Sequence, residues 1–249
     1  MILNKTHTKY IQSLHHKKFR DENGAFIAEG PKVVLELLDS REFACQQLFA
    51  VNEWLADNEK TLSKYSGIEI FGIKDFELEK MSALTTPNNV LAVFKTKEQQ
   101  EPVNIKQKIT VVLDTIQDPG NLGTIIRTAD WFGIENIVCS AACADMYNSK
   151  VVQSTMGSLA RVNIFYTDLQ KWLQKNKAIK KYAAALHGKN IKDLKDIKEA
   201  IIIIGNEGKG ISDAVMQLVD EKITIAKRGE AESLNAAVAA GIILSSLVN

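Results

Sequence analysis

The chain has 249 residues, 45% of them hydrophobic and 24% charged, with a formal net charge of +1, which is enough apolar sequence to bury one large or two modest cores without covalent staples. The near balance of charge excludes a protein coated in one sign, so any nucleic-acid surface has to be a local patch. Cys45, Cys139 and Cys143 form neither a C-x-x-C pair nor an even set, and there are four histidines, so reduced thiols in a cytoplasmic protein are expected and a metal site is not.

Lysines and histidines are mixed through the apolar positions of Met1 to Arg20, which excludes the apolar core of a signal peptide. No apolar run approaches the ~20 residues that span a bilayer. The pattern predicts a short helix over Thr8–Leu14, then the run His15-His16-Lys17-Lys18-Phe19-Arg20 and a turn at Asp21-Glu22-Asn23-Gly24. With Lys5 and Lys9 this is a basic segment with no acid before Asp21, either a solvated face or a contact for RNA phosphates. Ala25–Ala28 reads as a strand, Glu29-Gly30-Pro31 as a turn with proline near the first helical position, and Lys32–Leu38 as a helix. Strands follow at Cys45–Val51, Glu69–Ile73 and Val90–Phe94, with helices at Glu53–Tyr65 and Asp75–Ser82 and a turn through Thr85-Thr86-Pro87-Asn88-Asn89. These elements make a small α/β domain over residues 1–97. The polar stretch around Glu98-Gln99-Gln100-Glu101-Pro102 reads as a linker over 98–108.

From Ile109 onward strands and helices alternate. Strands are expected at Ile109–Asp114, Asn136–Cys139, Asn163–Tyr166, Lys181–Leu186, Ile201–Ile204 and Lys222–Ile225. Helices are expected at Leu122–Phe132, Lys150–Ser154, Leu169–Lys175, Ser212–Val219 and from Ser233 onward. Such alternation specifies a parallel sheet with helices on its faces, so the second domain, 109–249, is α/β.

Three loops of this domain carry polar residues that packing does not require. Ile201-Ile202-Ile203-Ile204 is a doubly buried strand that runs into Gly205-Asn206-Glu207-Gly208-Lys209-Gly210-Ile211-Ser212. Gly205 and Gly210 have P-loop spacing, but Ile211 stands where that motif needs lysine, so a nucleotide hydrolase is disfavoured. Glu207, held between glycines, is the candidate functional residue there. A second loop, Asp114 to Asn121, leads through Asp118-Pro119-Gly120 to Asn121, a suitable helix cap, and places Arg127 about two turns along the helix, where it needs an anionic partner. Either a ligand or a carboxylate such as Asp114 or Glu207 could serve. In the third, Gly229 to Gly241, Ser233 reads as the cap, Asn235 faces the loops, and the alanines that follow permit close backbone approach.

Together these loops resemble the three motifs of the SpoU (TrmH-type) branch of the SPOUT RNA methyltransferases. The first is matched by Asp118-Pro119, Asn121, Gly123 and Arg127-Thr128-Ala129, the second by Ile204-Gly205-Asn206-Glu207-Gly208, and the third by Ser233-Leu234-Asn235 with its small-residue helix. The N-terminal domain looks like the substrate-binding domain many of these enzymes carry, through Lys9, Ser13-Leu14, Lys17-Lys18, Arg20, Phe26 to Gly30 and Thr86-Pro87 to Val93. The resemblance implies a knotted α/β domain, which general topology rules argue against and spacing cannot reveal. It further implies S-adenosylmethionine as cofactor, a homodimer, and methylation of an RNA ribose 2′-hydroxyl, with ribosomal RNA ahead of transfer RNA as substrate. A transfer-RNA enzyme and a non-catalytic RNA-binding or ribosome-assembly protein of the same fold are the alternatives.

By the same analogy the cofactor meets Leu186-His187-Gly188, the Ile204 to Gly208 turn (Ile204, Gly205, Asn206 and Gly208) and the segment from Ile225 through Leu234. Arg127, Asn121, Glu207, Ser233 and Asn235 form the catalytic set, with Glu207 orienting Arg127 or the ribose, and Lys9, Lys17, Lys18 and Arg20 contact RNA. His187 is a further candidate base. Where the family commonly has Pro and Met after the position of Ile225, this chain has Ala226-Lys227 and then Arg228, which adds positive charge near the RNA entry.

Overall fold

The computed structural model describes residues 3–102, 105–194 and 197–248. The chain divides into two compact units, one made of Met1–Glu98 with Tyr147–Ala160, the other of Gln99–Met146 with Arg161–Asn249. Among the described residues no helix is long and apolar enough to cross a membrane.

The first unit begins with α1 (Lys5–Ser13), α2 (Lys17–Asn23), β1 (Ala25–Glu29), α3 (Pro31–Ser40) and β2 (Cys45–Val51). It continues with α4 (Asn52–Asp57), α5 (Glu59–Leu62), β3 (Glu69–Ile73), α6 (Asp75–Met81) and β4 (Val90–Lys95). Its sheet runs β1-β4-β2-β3, with β4 antiparallel to both neighbours and β2 parallel to β3. The single helix expected over Glu53–Tyr65 is two, parted at Asn58, which leaves the helical conformation (φ −109°, ψ 10°) while both its backbone N and its Nδ2 donate to the Trp54 carbonyl, at 3.1 and 2.8 Å.

The basic run His15 to Arg20 lies largely in α2, which continues through most of the turn expected at Asp21 to Gly24 and ends at Gly24 in the left-handed region (φ 56°). This placement corrects one expectation about RNA contact. Arg20 is 3% exposed, and its Nη1 donates to the carbonyl oxygens of Leu14 at 3.0 Å and His15 at 2.9 Å. Those carbonyls lie at the end of α1, where a helix leaves acceptors unmatched. Arg20 is therefore a structural cap of α1 and cannot reach an RNA phosphate.

The second unit contains β5 (Ile109–Asp114), α7 (Pro119–Trp131), β6 (Asn136–Ser140), β7 (Asn163–Thr167), α9 (Leu169–Lys175), β8 (Lys181–Asn190), β9 (Ala200–Gly205), α10 (Asp213–Met216), β10 (Glu221–Thr224) and α11 (Ala236–Leu247). Between β6 and β7 the chain leaves this unit to form α8 (Ser149–Thr155), which packs on β1 of the first. The expected boundaries, 1–97 and 109–249, did not include that excursion. Nor is the stretch after 98 a detached linker: Gln99 Oε1 accepts from Tyr166 N at 3.0 Å and the Gln100 carbonyl from Asn163 Nδ2 at 3.1 Å, which holds it beside β7.

All pairings in the second sheet are parallel, in the order β10-β8-β9-β5-β6-β7. Ile201, Ile202 and Ile203 are fully buried and Ile204 is 2% exposed, as expected of a central strand covered on both faces. From β5 the order grows one way through β6 and β7, and then restarts on the other side with β8 and β9. Such a reversal opens a crevice beyond the carboxyl ends of the strands, in this case those of β5 and β9.

Candidate active site

At the end of β5, Asp114 is 4% exposed. Its Oδ2 accepts from the backbone N of Ser212 at 2.9 Å and from the Ser212 hydroxyl at 2.6 Å, and its Oδ1 from the Thr115 hydroxyl at 3.0 Å. The buried carboxylate thus ties the β5 end to the loop after β9. Thr115 follows in the left-handed region (φ 62°), a conformation that costs a β-branched residue energy and persists only where neighbours impose it. Here Thr115 N donates to Ser140 Oγ at 2.9 Å, and its carbonyl accepts from Asn206 Nδ2 at 3.0 Å. Thr115 and Ser212 were not singled out from the sequence, and Asp114 only as a possible partner for Arg127. A polar residue closing an apolar strand was the available signal for Asp114.

Asp118, not Asn121, caps α7. Its Oδ1 accepts from Asn121 N at 2.8 Å, and Pro119 occupies the first helical position. Asn121 therefore sits inside the first turn with its amide directed outward. On the second loop, Asn206 and Gly210 exchange backbone hydrogen bonds of 2.9 and 2.8 Å, while Asn206 Oδ1 accepts from Gly208 N and Lys209 N. A side chain at Gly205 would put a Cβ 2.3 to 2.4 Å from backbone atoms of Gly210 and Ile211, so only glycine allows the turn to close that tightly. Glu207 is carried at its tip.

The three loops meet at Glu207. Its Oε1 accepts from Asn121 Nδ2 at 2.5 Å, Asn235 Nδ2 at 2.8 Å and Ala236 N at 3.1 Å, and Asn235 Nδ2 also lies 2.8 Å from Asn121 Oδ1. Asn235 is the N-cap of α11, its Oδ1 accepting from Ala237 N and Val238 N. Ser233, expected in that role, is exposed two residues earlier and outside the helix. Asn235 prevails because its amide serves both sides at once, the oxygen capping the helix and the nitrogen reaching Glu207.

Arg127 is exposed on α7, six residues and therefore about 9 Å along the axis from Asn121. Among the described residues its guanidinium forms no ion pair and no hydrogen bond with the protein. Asp114 is bonded to Ser212 and Thr115, and Glu207 to Asn121 and Asn235, so neither carboxylate is its partner. Glu207 organises the asparagines, so of its two expected roles, orienting Arg127 or the ribose, the first is not the one seen.

The strand β8 extends past the expected Leu186. Tyr182 and Ala183 pair with Glu221 and Lys222, and then Lys189 and Asn190 pair with Ile223 and Thr224, so residues 184–188 leave the ladder. In this bulge Leu186 is 66% exposed, its carbonyl accepts from the Thr224 hydroxyl at 3.0 Å, and His187 and Gly188 are exposed. A Cβ at Gly188 would lie 2.5 Å from the Lys222 carbonyl oxygen. Beyond β10, the stretch from Ile225 to Leu234 has no helix or strand and ends in the 44% exposed Leu234. Ile204 is buried in β9, so of the expected cofactor set it could present backbone alone. Of the basic residues, Lys9 is exposed on α1, while Lys17 pairs with Asp21 at 2.7 Å and Lys18 with Glu22 at 3.8 Å.

An all-parallel sheet with a tight glycine turn, a bulged strand and an asparagine–glutamate junction gathered beyond its strand ends defines a SPOUT-type methyltransferase domain. Residues 108–245 match the SpoU rRNA Methylase family and residues 5–92 the MRM3-like substrate binding domain, and the chain belongs to the SpoU rRNA methylase family. It is 32% identical over 241 residues, 95% of this chain and 93% of the other, to the 23S rRNA (guanosine(2553)-2′-O)-methyltransferase RlmP of Bacillus subtilis. The SpoU methyltransferase AviRb from Streptomyces viridochromogenes, solved in complex with the cofactor AdoMet, superposes with a TM-score of 0.87 at 25% identity, covering 98% of this chain and 97% of that one. The AdoMet-bound rRNA methyltransferase from Sinorhizobium meliloti also gives 0.87, at 26% identity, over 99% and 96% of the two chains.

Proposed function

We propose that this chain transfers a methyl group from S-adenosylmethionine to a ribose 2′-hydroxyl of ribosomal RNA. The observation that carries the reading is the junction of Asn121, Glu207 and Asn235, which draws three loops from separate parts of the sequence to one point. The cofactor's methyl, activated by the sulfonium charge, is the group to be transferred. The residues present suit that ligand. The 184–188 bulge and the 225–234 stretch offer backbone donors and acceptors outside the sheet ladder, and Leu186 and Leu234 offer exposed apolar surface for a purine ring.

A ribose hydroxyl is a weak nucleophile, so the protein's part is to align it and to stabilise charge as its proton departs. Arg127, whose side chain is unpaired among the described residues, binds the phosphate beside the 2′-oxygen. Its guanidinium is too basic to accept a proton, so its contribution is electrostatic. Asn121 and Asn235, fixed by Glu207, hold the ribose, with Ser233, two residues before Asn235 in the sequence, assisting from the third loop.

The chain acts as a homodimer in this reading. Trp131 on α7 is 82% exposed, and Val238 and Ile242, four residues apart on one side of α11, are 50% and 37% exposed, apolar surface that a second copy would cover. The three free thiols suit a reducing cytoplasm. The deciding experiment is incubation of unmodified ribosomal RNA with methyl-labelled S-adenosylmethionine, followed by digestion and mapping of the label. A single 2′-O-methylated nucleotide is expected, lost in Arg127→Ala while cofactor binding by calorimetry persists. Near-normal turnover in Arg127→Ala would remove the scheme.

A further inference from the structure

We propose that the groove between α1 and α6 of the first unit binds a single-stranded segment of RNA, with Phe76 stacking on an unpaired base and Lys5, Lys9 and Lys80 holding the neighbouring phosphates. This rests on the RNA reading above and assigns a site within the unit that carries no transferase motif. The groove is a shallow cleft open to solvent, of about 490 Å³, within the range of ligand-sized clefts. Gln12 Nε2 donates to the Lys80 carbonyl at 2.8 Å and holds the two helices together, so the groove exists before anything enters it.

Three features select the occupant. Phe76 is 50% exposed although it starts a helix whose Leu78 and Met81 are buried, so its ring is not used by the core. Lys80 Nζ lies over the ring at 5.0 Å and Lys74 Nζ at 6.0 Å from its centroid, so the exposed ring is framed by positive charge on flexible side chains that can swing to neighbouring phosphates when a base stacks. Lys5 and Lys9, one helical turn apart on α1, line the opposite wall. Among the described residues Lys5, Lys9 and Lys80 form no ion pair. The single acid lining the groove, Glu77, already accepts from Lys74 N at 2.9 Å at the start of α6.

An exposed aromatic ring within a lysine frame matches a strand whose bases are unstacked and whose phosphates are spaced along it. A duplex hides its base faces and leaves Phe76 nothing to stack on. A local patch of this kind is also what a chain of net charge +1 needs in order to hold a polyanion.

The test is fluorescence anisotropy with the full chain, a labelled mixed-sequence single strand of about 12 nucleotides and a blunt duplex of the same length. Phe76→Ala and Phe76→Leu are expected to weaken single-strand binding about tenfold, Phe76→Tyr to restore it, and duplex binding to stay unchanged. Replacing Lys5, Lys9 and Lys80 together by glutamine should lower the slope of log affinity against log salt by about 2, the value for three phosphate contacts on a single strand. S-adenosylmethionine binding is measured on the same samples. Its absence from every sample would count against the transferase reading, while its retention with altered RNA binding isolates the groove. Single-strand affinity that stays within about twofold in all these variants, as when the groove docks a protein instead, overturns the proposal. So does a loss that tyrosine fails to rescue.

Discussion

One carboxylate oxygen of Glu207 takes two asparagine amides and a backbone N–H, so the side chain works as a clamp on three loops. Replacing Glu207 with alanine leaves those donors to water. Because the site is exposed, the stability lost should be about 1–2 kcal/mol, less than the sum of three charge-assisted bonds. Alignment is more sensitive, and methyl transfer should fall by about 100-fold. Glu207→Gln keeps one acceptor oxygen and should retain most of the stability, which urea melts of the two variants would show. Gly205→Ala probes the turn beneath. Its Cβ meets backbone, which cannot rotate away, so a loss of about 1–3 kcal/mol is expected, accompanied by loss of cofactor binding in calorimetry. The glycines flanking Glu207 made the residue conspicuous in the sequence. Its partners were legible only through the family resemblance, since Asn121 and Asn235 lie 86 and 28 positions away and nothing local links them. Arg20 shows the opposite difficulty: its charge is visible in the sequence, but the carbonyls at the end of α1 that bury it are not.

At the scale of elements, the parallel sheet was legible because its central strands are uninterrupted apolar runs, such as Val111-Val112-Leu113 and Ile201 to Ile204, all 2% exposed or less. Element ends were harder. The start of α11 depends on which of Ser233 and Asn235 finds a second partner. The extension of β8 follows a bulge through Leu186-His187-Gly188, where pairing with β10 stops and then resumes. The same helix α11 argues for the proposed homodimer. Its buried side carries Ala240, Ile243 and Leu244, while Val238 and Ile242 remain outside, so the helix is apolar on both sides, as helices buried between two partners are. Val238→Asp with Ile242→Asp should leave the fold intact, because neither side chain is in the core, and yield a monomer in sedimentation velocity. A variant that still sediments as a dimer would remove α11 from the interface.

For the molecule as a whole, the unexpected feature is that the β6–β7 crossover belongs to the other unit. Tyr147 is 8% exposed, its ring centroid lies 4.7 Å from that of Phe26 on β1, and its hydroxyl accepts from Lys97 N at 3.0 Å. The N-terminal residues 1–98 are therefore an incomplete folding unit, and their core is closed by a segment synthesised some fifty residues later. Tyr147→Ala should remove about 3 kcal/mol from the first unit, whereas Tyr147→Phe, which keeps the ring and gives up one hydrogen bond, should cost about 1 kcal/mol. Hydrogen exchange followed by mass spectrometry separates this from a general loss of stability. Protection should fall in β1 and β4 of Tyr147→Ala while β5 and β9, whose core is formed from other residues, keep theirs. S-adenosylmethionine at about 100 times its Kd should add about 2.7 kcal/mol to the second unit. If that added protection is unchanged in Tyr147→Ala, the transferase unit holds its cofactor loops without help from the excursion, and the crossover's role is to complete the core of the unit it visits.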